Sequence, residues 1–98
     1  MFIRVTQVKV KPGQWTAFLD AFKNQSIPEL EAMPGFMRVI CSGDESTQAI
    51  NMITMWMTAE QGGGVGLGGQ DAAMDKLQSF FSEPPVSSGF DEILEREF

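Results

Sequence analysis

Residues 49–57, Ala-Ile-Asn-Met-Ile-Thr-Met-Trp-Met, form the longest apolar run in this chain. Read as a strand, the run places Ile50, Met52, Thr54 and Trp56 on one face and Ala49, Asn51, Ile53, Met55 and Met57 on the other, because side chains alternate with a period of two. Neither face suits water. A chain of 98 residues has room for one domain and one modest core. Its helices cover one side of a sheet, so a strand apolar on both sides calls for a second cover. The simplest cover is the sheet of a second copy, and the expectation is a homodimer packed through its sheet faces.

The segments on either side of this strand supply the rest of a single domain spanning residues 1–98. Residues 2–11 alternate as a first strand, with Ile3, Val5, Gln7 and Lys9 on one face and Phe2, Arg4, Thr6, Val8 and Val10 on the other. Lys11-Pro12-Gly13 ends it, since Pro12 donates no ladder hydrogen bond and suits a helix start. Trp15, Phe18, Leu19, Phe22, Leu30 and Met33 then recur at spacings of three and four, predicting an amphipathic helix over 14–33 with a kink or restart near Ser26 imposed by Pro28. Met33-Pro34-Gly35 stops that helix. Residues 36–42 read as a short strand and 43–48 as a polar turn of about six residues before the central run, a hairpin whose loose parity predicts a bulge.

Residues 58–70 hold six of the ten glycines. A glycine inside a helix costs about 1 kcal/mol relative to alanine, so this stretch reads as a loop, either a lid over a pocket or plain disorder. Asp71 can cap a second helix through Ser82, with Ala73, Met74, Leu77, Phe80 and Phe81 on its buried side. Phe90, Leu94 and Phe98 then alternate with charged residues in a last strand near an edge. The order strand, helix, strand, strand, helix, strand, joined by right-handed crossovers, predicts an α+β, ferredoxin-like βαββαβ fold: a four-stranded antiparallel sheet with both helices on one face.

Charge and composition narrow the function. The net charge is −6, with +2 on residues 1–38 and −8 on residues 39–98. Without a basic stripe, neither nucleic acid nor an anionic membrane is an expected partner. No apolar run approaches the roughly 20 residues of a membrane helix, and the first residues carry no basic-then-apolar leader, so the expected setting is the cytoplasm. The single Cys41 agrees with a reducing compartment and reads as a buried small hydrophobe. Histidine and tyrosine are absent, which removes the commonest general base and the commonest metal and haem ligand. No cofactor is expected. Gly64-x-Gly66-x-x-Gly69 matches the letters of a dinucleotide fingerprint but follows an antiparallel strand, and Gly69 is followed by Gln70-Asp71, which excludes a phosphate loop.

Three stretches carry a family resemblance. The run from Phe2 to Trp15 (Phe-Ile-Arg-Val-Thr-Gln-Val-Lys-Val-Lys-Pro-Gly-Gln-Trp), the Met33-Pro34-Gly35-Phe36 junction, and Thr54-Met55-Trp56-Met57-Thr58-Ala59-Glu60 resemble the antibiotic biosynthesis monooxygenases, dimeric α+β barrels. The resemblance implies a pocket between sheet and helices and, in the anthrone-oxidising members, no cofactor. It also implies a binding pair Asn-x-x-x-Trp on the third strand. Trp56 matches the tryptophan, but the asparagine slot falls on Met52, and Asn51 is expected to point to the opposite face. A tyrosine of the relatives falls at about Gly62, and a cation on the second helix falls at Lys76. Haem-degrading members would need an asparagine, where this chain has Thr6 or Gln7, and a histidine it lacks.

The candidate catalytic residues are therefore Trp56, Thr6, Arg4 and Lys76, donors that would favour an ionised substrate oxygen. Trp56 reads either as such a donor or as a core tryptophan under a helix. Arg4 and Arg38 read either as anion stabilisers or as rim ion pairs. Five methionines between Met33 and Met57 suit an adaptable apolar lining or an interface. Two functions fit: a cofactor-independent monooxygenase acting on an aromatic, polyketide-like or quinol substrate, and a non-catalytic dimeric module that binds a small apolar ligand.

Overall fold

A computed structural model of the chain describes residues 1–62 and 77–97. Four strands, β1 (Phe2–Lys9), β2 (Phe36–Asp44), β3 (Ala49–Trp56) and β4 (Val86–Asp91), form one antiparallel sheet in the order β2-β3-β1-β4. This is the ferredoxin-like α+β arrangement, with the most apolar strand at the centre and the most polar one at an edge, as the sequence predicts.

The connection from β1 to β2 is helical. Gly13, at φ +80°, makes the turn that lets Gln14 N–H reach the Lys11 carbonyl at 3.0 Å, and α1 (Trp15–Ala21) follows. Where a kink is predicted, the helix widens into a π-helical turn, Phe22–Ser26, before continuing as α2 (Ile27–Glu31). The cause is Pro28, which has no N–H for the preceding turn. Ile27 N–H reaches back to the Phe22 carbonyl instead, and the proline sits in the first turn of α2, where its missing donor does no harm. Gly35, at φ +79°, then turns the chain into β2, and its carbonyl accepts from Met57 N–H at 2.9 Å.

The strand faces separate cleanly. On β3, Ile50, Met52, Thr54 and Trp56 are buried, whereas Ala49, Asn51, Ile53 and Met55 are half-buried on the open side. The main core gathers Val8, Val10, Phe18, Phe22, Ile50, Met52, Leu77 and Phe81. A smaller cluster gathers Leu30 and Trp56 with Phe2, Met33 and Phe36. The Phe18 ring is fully buried and meets the rings of Phe22, Phe80 and Phe81 at 5.8 to 6.1 Å.

Three boundaries and the placement of Cys41 differ from expectation. The bulge falls at Met37, but β2 runs on to Asp44, which leaves a loop of four residues, 45–48. The Asp44 carboxylate holds that loop by accepting from Ser46 N–H at 3.0 Å and Ser46 Oγ at 2.7 Å, and Gln48 takes φ +62°. The end of the second helix is not α-helical. Leu77 leads into a 3₁₀ turn, Gln78–Phe80, and Phe81 is extended because it bridges Val10, with Lys11 N–H to Phe80 O at 2.8 Å and Ser82 N–H to Lys9 O at 2.9 Å. The last strand ends at Asp91, leaving Leu94 exposed beyond it. Cys41, expected inside, is exposed on the edge strand β2; partial desolvation nevertheless pushes its thiol pKa up, so little thiolate forms at neutral pH. The remainder of the predicted second helix, Lys76 included, and glycine-rich residues 63–70 lie outside the described residues.

Two measurements check this description. Phe18→Ala should destabilise the protein by about 3–5 kcal/mol in urea unfolding, the loss typical of deleting a ring that its neighbours cannot replace. The two hydrogen bonds from Ser46 hold Asp44 below the ordinary aspartate pKa. The turn is thus supported above that depressed value and loses the support as pH falls through it. In an NMR titration Ser46→Ala should move the Asp44 midpoint upward.

Candidate functional site

On the helix-facing side of the sheet, register places a row of polar residues between the two apolar clusters. Arg4 of β1 stands opposite Thr54 of β3 and Gly89 of β4, and one step along the strand Thr6 stands opposite Met52 and Ser87. Thr6 and Thr54 are 1% and 2% exposed. Ser26, the last residue of the π-helical turn, is equally buried. Buried hydroxyls need partners, and two pairs supply them: Thr6 Oγ1 lies 2.8 Å from Ser87 Oγ, and Trp56 Nε1 donates to Thr54 Oγ1 at 2.9 Å.

Arg4 Nη1 donates to the Gly62 carbonyl at 3.5 Å, which ties the turn after β3 to the first strand. Gly62 N–H in turn bonds to the Thr58 carbonyl at 3.1 Å. This turn closes the end of the site where Trp56 lies, fully excluded from solvent and meeting Phe36 edge-on at 5.2 Å between ring centroids. A half-buried guanidinium beside two buried hydroxyls can stabilise one developing negative charge on an oxygen, because the donors of Thr6 and Thr54 lie where water is excluded.

Three of the four candidate residues from sequence, Arg4, Thr6 and Trp56, therefore share one face of the sheet. Lys76 falls outside the described residues. The Trp56 indole N–H is given to Thr54, and the ring packs under the helical layer. Arg38 stands opposite Met55 on the other face, away from Arg4. Asn51 also lies on that face, where it helps line a cleft of about 400 Å³ with Gln7, Lys9, Ala49, Glu83, Pro84 and Val86. At Gly62, about where the resemblance places a tyrosine, a side chain would crowd the present packing: a Cβ there would lie 2.6 Å from Phe2 Cδ2 and 3.0 Å from Trp56 Cδ1.

Ser87, Thr54 and Phe2 adjoin the candidate residues, and the sequence did not single them out. Their signal is weak, since it lies in the pairing of distant strands rather than in any local motif. Among the described residues, no three His, Cys, Asp or Glu side chains gather as a metal site, and no helix is long and apolar enough to cross a membrane.

Comparison with known proteins fits this geometry. The profile of the family Antibiotic biosynthesis monooxygenase matches residues 1–62. No curated protein matches the sequence. Among solved structures, a candidate antibiotic biosynthesis monooxygenase from Bordetella bronchiseptica is 19% identical with a TM-score of 0.74, the match covering 95% of this chain and 97% of that one. A conserved protein from Methanosarcina mazei is 16% identical with a TM-score of 0.73, covering 95% and 94%. A monooxygenase from Streptomyces coelicolor, solved in complex with the ligand nanaomycin D, is 16% identical with a TM-score of 0.72, covering 97% and 92%. At these identities the structural matches speak for the shared fold, while the profile covers well over half of the sequence: the chain belongs to the antibiotic biosynthesis monooxygenase family.

Proposed function

We propose that this chain is a cofactor-independent monooxygenase acting on an aromatic, polyketide-like or quinol substrate whose deprotonated form reacts directly with dioxygen. The observation that carries the reading is a polar row between two apolar clusters, in which buried Thr6 and Thr54 are flanked by half-buried Arg4 and by Ser87 on the exposed edge strand. Such chemistry asks the protein for apolar walls, exclusion of water and donors that favour an enolate or phenolate over the neutral molecule. Arg4 and Thr6 are the proposed donors, with Lys76 as a further cation. Trp56 forms the wall and, through its bond to Thr54, orients the threonine hydroxyl. The Streptomyces structure of the same fold holds the ligand nanaomycin D, which supports a small-molecule pocket here.

The same reading includes a homodimer in the cytoplasm. The open face of the sheet carries Ile3, Val5, Ile53 and Met55 at its centre, with Ile40, Val86 and Phe90 exposed around them. An apolar face of that extent is rarely left to water, and a second copy would bury it in an interface of the usual size, about 1,600 Å². The alternative function, a non-catalytic module for a small apolar ligand, is favoured by one observation: the Trp56 N–H is already used within the chain.

Oxygen uptake decides between the two. Purified metal-free and flavin-free protein given anthrones and dihydroxynaphthalenes should consume oxygen with saturation in substrate. Loss of a charge-assisted hydrogen bond of about 1.5–3 kcal/mol in Arg4→Gln should then lower kcat/KM by about 10- to 100-fold. Binding of the same compounds with no uptake above boiled protein would leave the module. For the assembly, Ile53→Lys should give monomer or aggregate in sedimentation analysis where the natural protein gives dimer, while a Thr54→Lys substitution on the buried face should unfold the chain.

A further inference from the structure

Phe2 is a half-buried ring with glycine on two sides. Gly89 lies on β4, where the Cβ of any other residue would collide with Phe2 Cζ. Gly62 lies in the turn above, where a Cβ would approach Phe2 Cδ2 to 2.6 Å and the edge of the Trp56 indole to 3.0 Å. A glycine inside a strand gives up side-chain packing and backbone restraint, and it usually marks a place where something flat or bulky comes close. Here two such positions, far apart in sequence, face the same ring. Together with the Trp56 edge they build a narrow flat slot, and the present occupant is an aromatic side chain.

The backbone of Phe2 is fixed by pairing with Trp56 on one side and Asp91 on the other, so the ring can leave only by turning about its own side-chain bonds. Its partial exposure gives it solvent to turn into. The next residue on the same face is Arg4, whose guanidinium already reaches the Gly62 carbonyl that roofs the slot. A planar ring in place of Phe2 would bring a ring oxygen toward that cation.

We propose that Phe2 is the specificity-determining gate of the site: its ring stands in for a planar aromatic ring of the substrate, bearing an ionisable oxygen, and turns out when that ring enters between Gly62 and Gly89. The gate rests on the reading of this face as the substrate pocket, and it restricts entry to flat rings, because the two glycine walls leave no depth for a puckered or branched one. It also makes apparent affinity weak in the natural protein, since a ligand must displace a side chain already in contact.

The test uses fluorescence. The chain has two tryptophans, so in a Trp15→Phe background Trp56 alone reports. With 1,8-dihydroxynaphthalene as probe, Phe2→Ala should quench Trp56 with a Kd at least 10-fold lower than the background protein, and Phe2→Leu should fall between them. Cyclohexanol derivatives should gain nothing, and adding Gly89→Ala to Phe2→Ala should abolish the gain by refilling the slot from β4. A folded Phe2→Ala, with a cooperative melt, whose Kd stays within 2-fold of the background overturns the gate, as does a gain that survives Gly89→Ala. If Phe2→Ala does not fold, Phe2→Leu is judged by the same criterion at 3-fold. The binding arm involves no oxygen chemistry, so absence of oxygen uptake alongside the predicted binding pattern would overturn the monooxygenase reading and leave the gate standing.

Discussion

Pairing of β1 with β3, in the register that sets Phe2 against Trp56 and Arg4 against Thr54, is the constraint from which the rest of the molecule follows. A slip of one residue would exchange the two faces of a strand. Thr6, Val8 and Val10 would then turn away from the core, and Lys9 would turn into it. Such a slip would bury a charge and expose apolar surface at once, so this register is strongly selected. It also groups the candidate residues, because a one-residue slip would part Arg4 and Thr6 from Thr54 and Trp56.

The helical layer adapts to that sheet. Pro28 could have broken the connection, yet a π-helical turn absorbs it and carries Phe22 and Ser26 into buried positions on either side of one extra residue. A turn of this kind is uncommon in ordinary helices and recurs where a side chain must be re-aimed. Similarly, the bridge between Val10 and Phe81 ends the helical path after Phe80 and seats Phe81 against Phe18. Local propensity favoured more helix there; pairing with the end of the first strand prevailed.

Much of this was legible in the sequence, for identifiable reasons. The alternation read in residues 49–57 survives over Ala49–Trp56 as alternating half-buried and buried positions, with Met57 exposed beyond the strand, and the β1 faces come out as read. Asn51 lands opposite to Trp56, as period two requires. What could not be read was anything set by contact between distant segments. The Ser87 hydroxyl next to Thr6, the Phe81 bridge, and the Phe2 ring between Gly62 and Gly89 join residues 60 to 87 positions apart, which no local pattern encodes. Loop length also misled: Gly43 and Asp44 look like turn residues, yet ladder pairing with Ile50 and Ala49 draws them into β2.

The hydrogen bonds in the polar row bear on how a self-satisfied candidate site can still act. A hydroxyl has one proton and two lone pairs. In the Thr6–Ser87 pair one hydroxyl donates, and the proton of the other is not used by that bond. Thr54 accepts from the Trp56 indole, which occupies a lone pair and leaves its own proton to another acceptor. Each pair is therefore satisfied without a ligand and still holds a donor for one. Trp56 matters in this scheme by fixing which way Thr54 points, a role that needs its N–H inside the chain and not in the pocket. On the proposed function, a row of hydroxyls held in this way would favour a ligand oxygen that accepts hydrogen bonds, and Arg4, two residues along the strand, would favour that oxygen ionised.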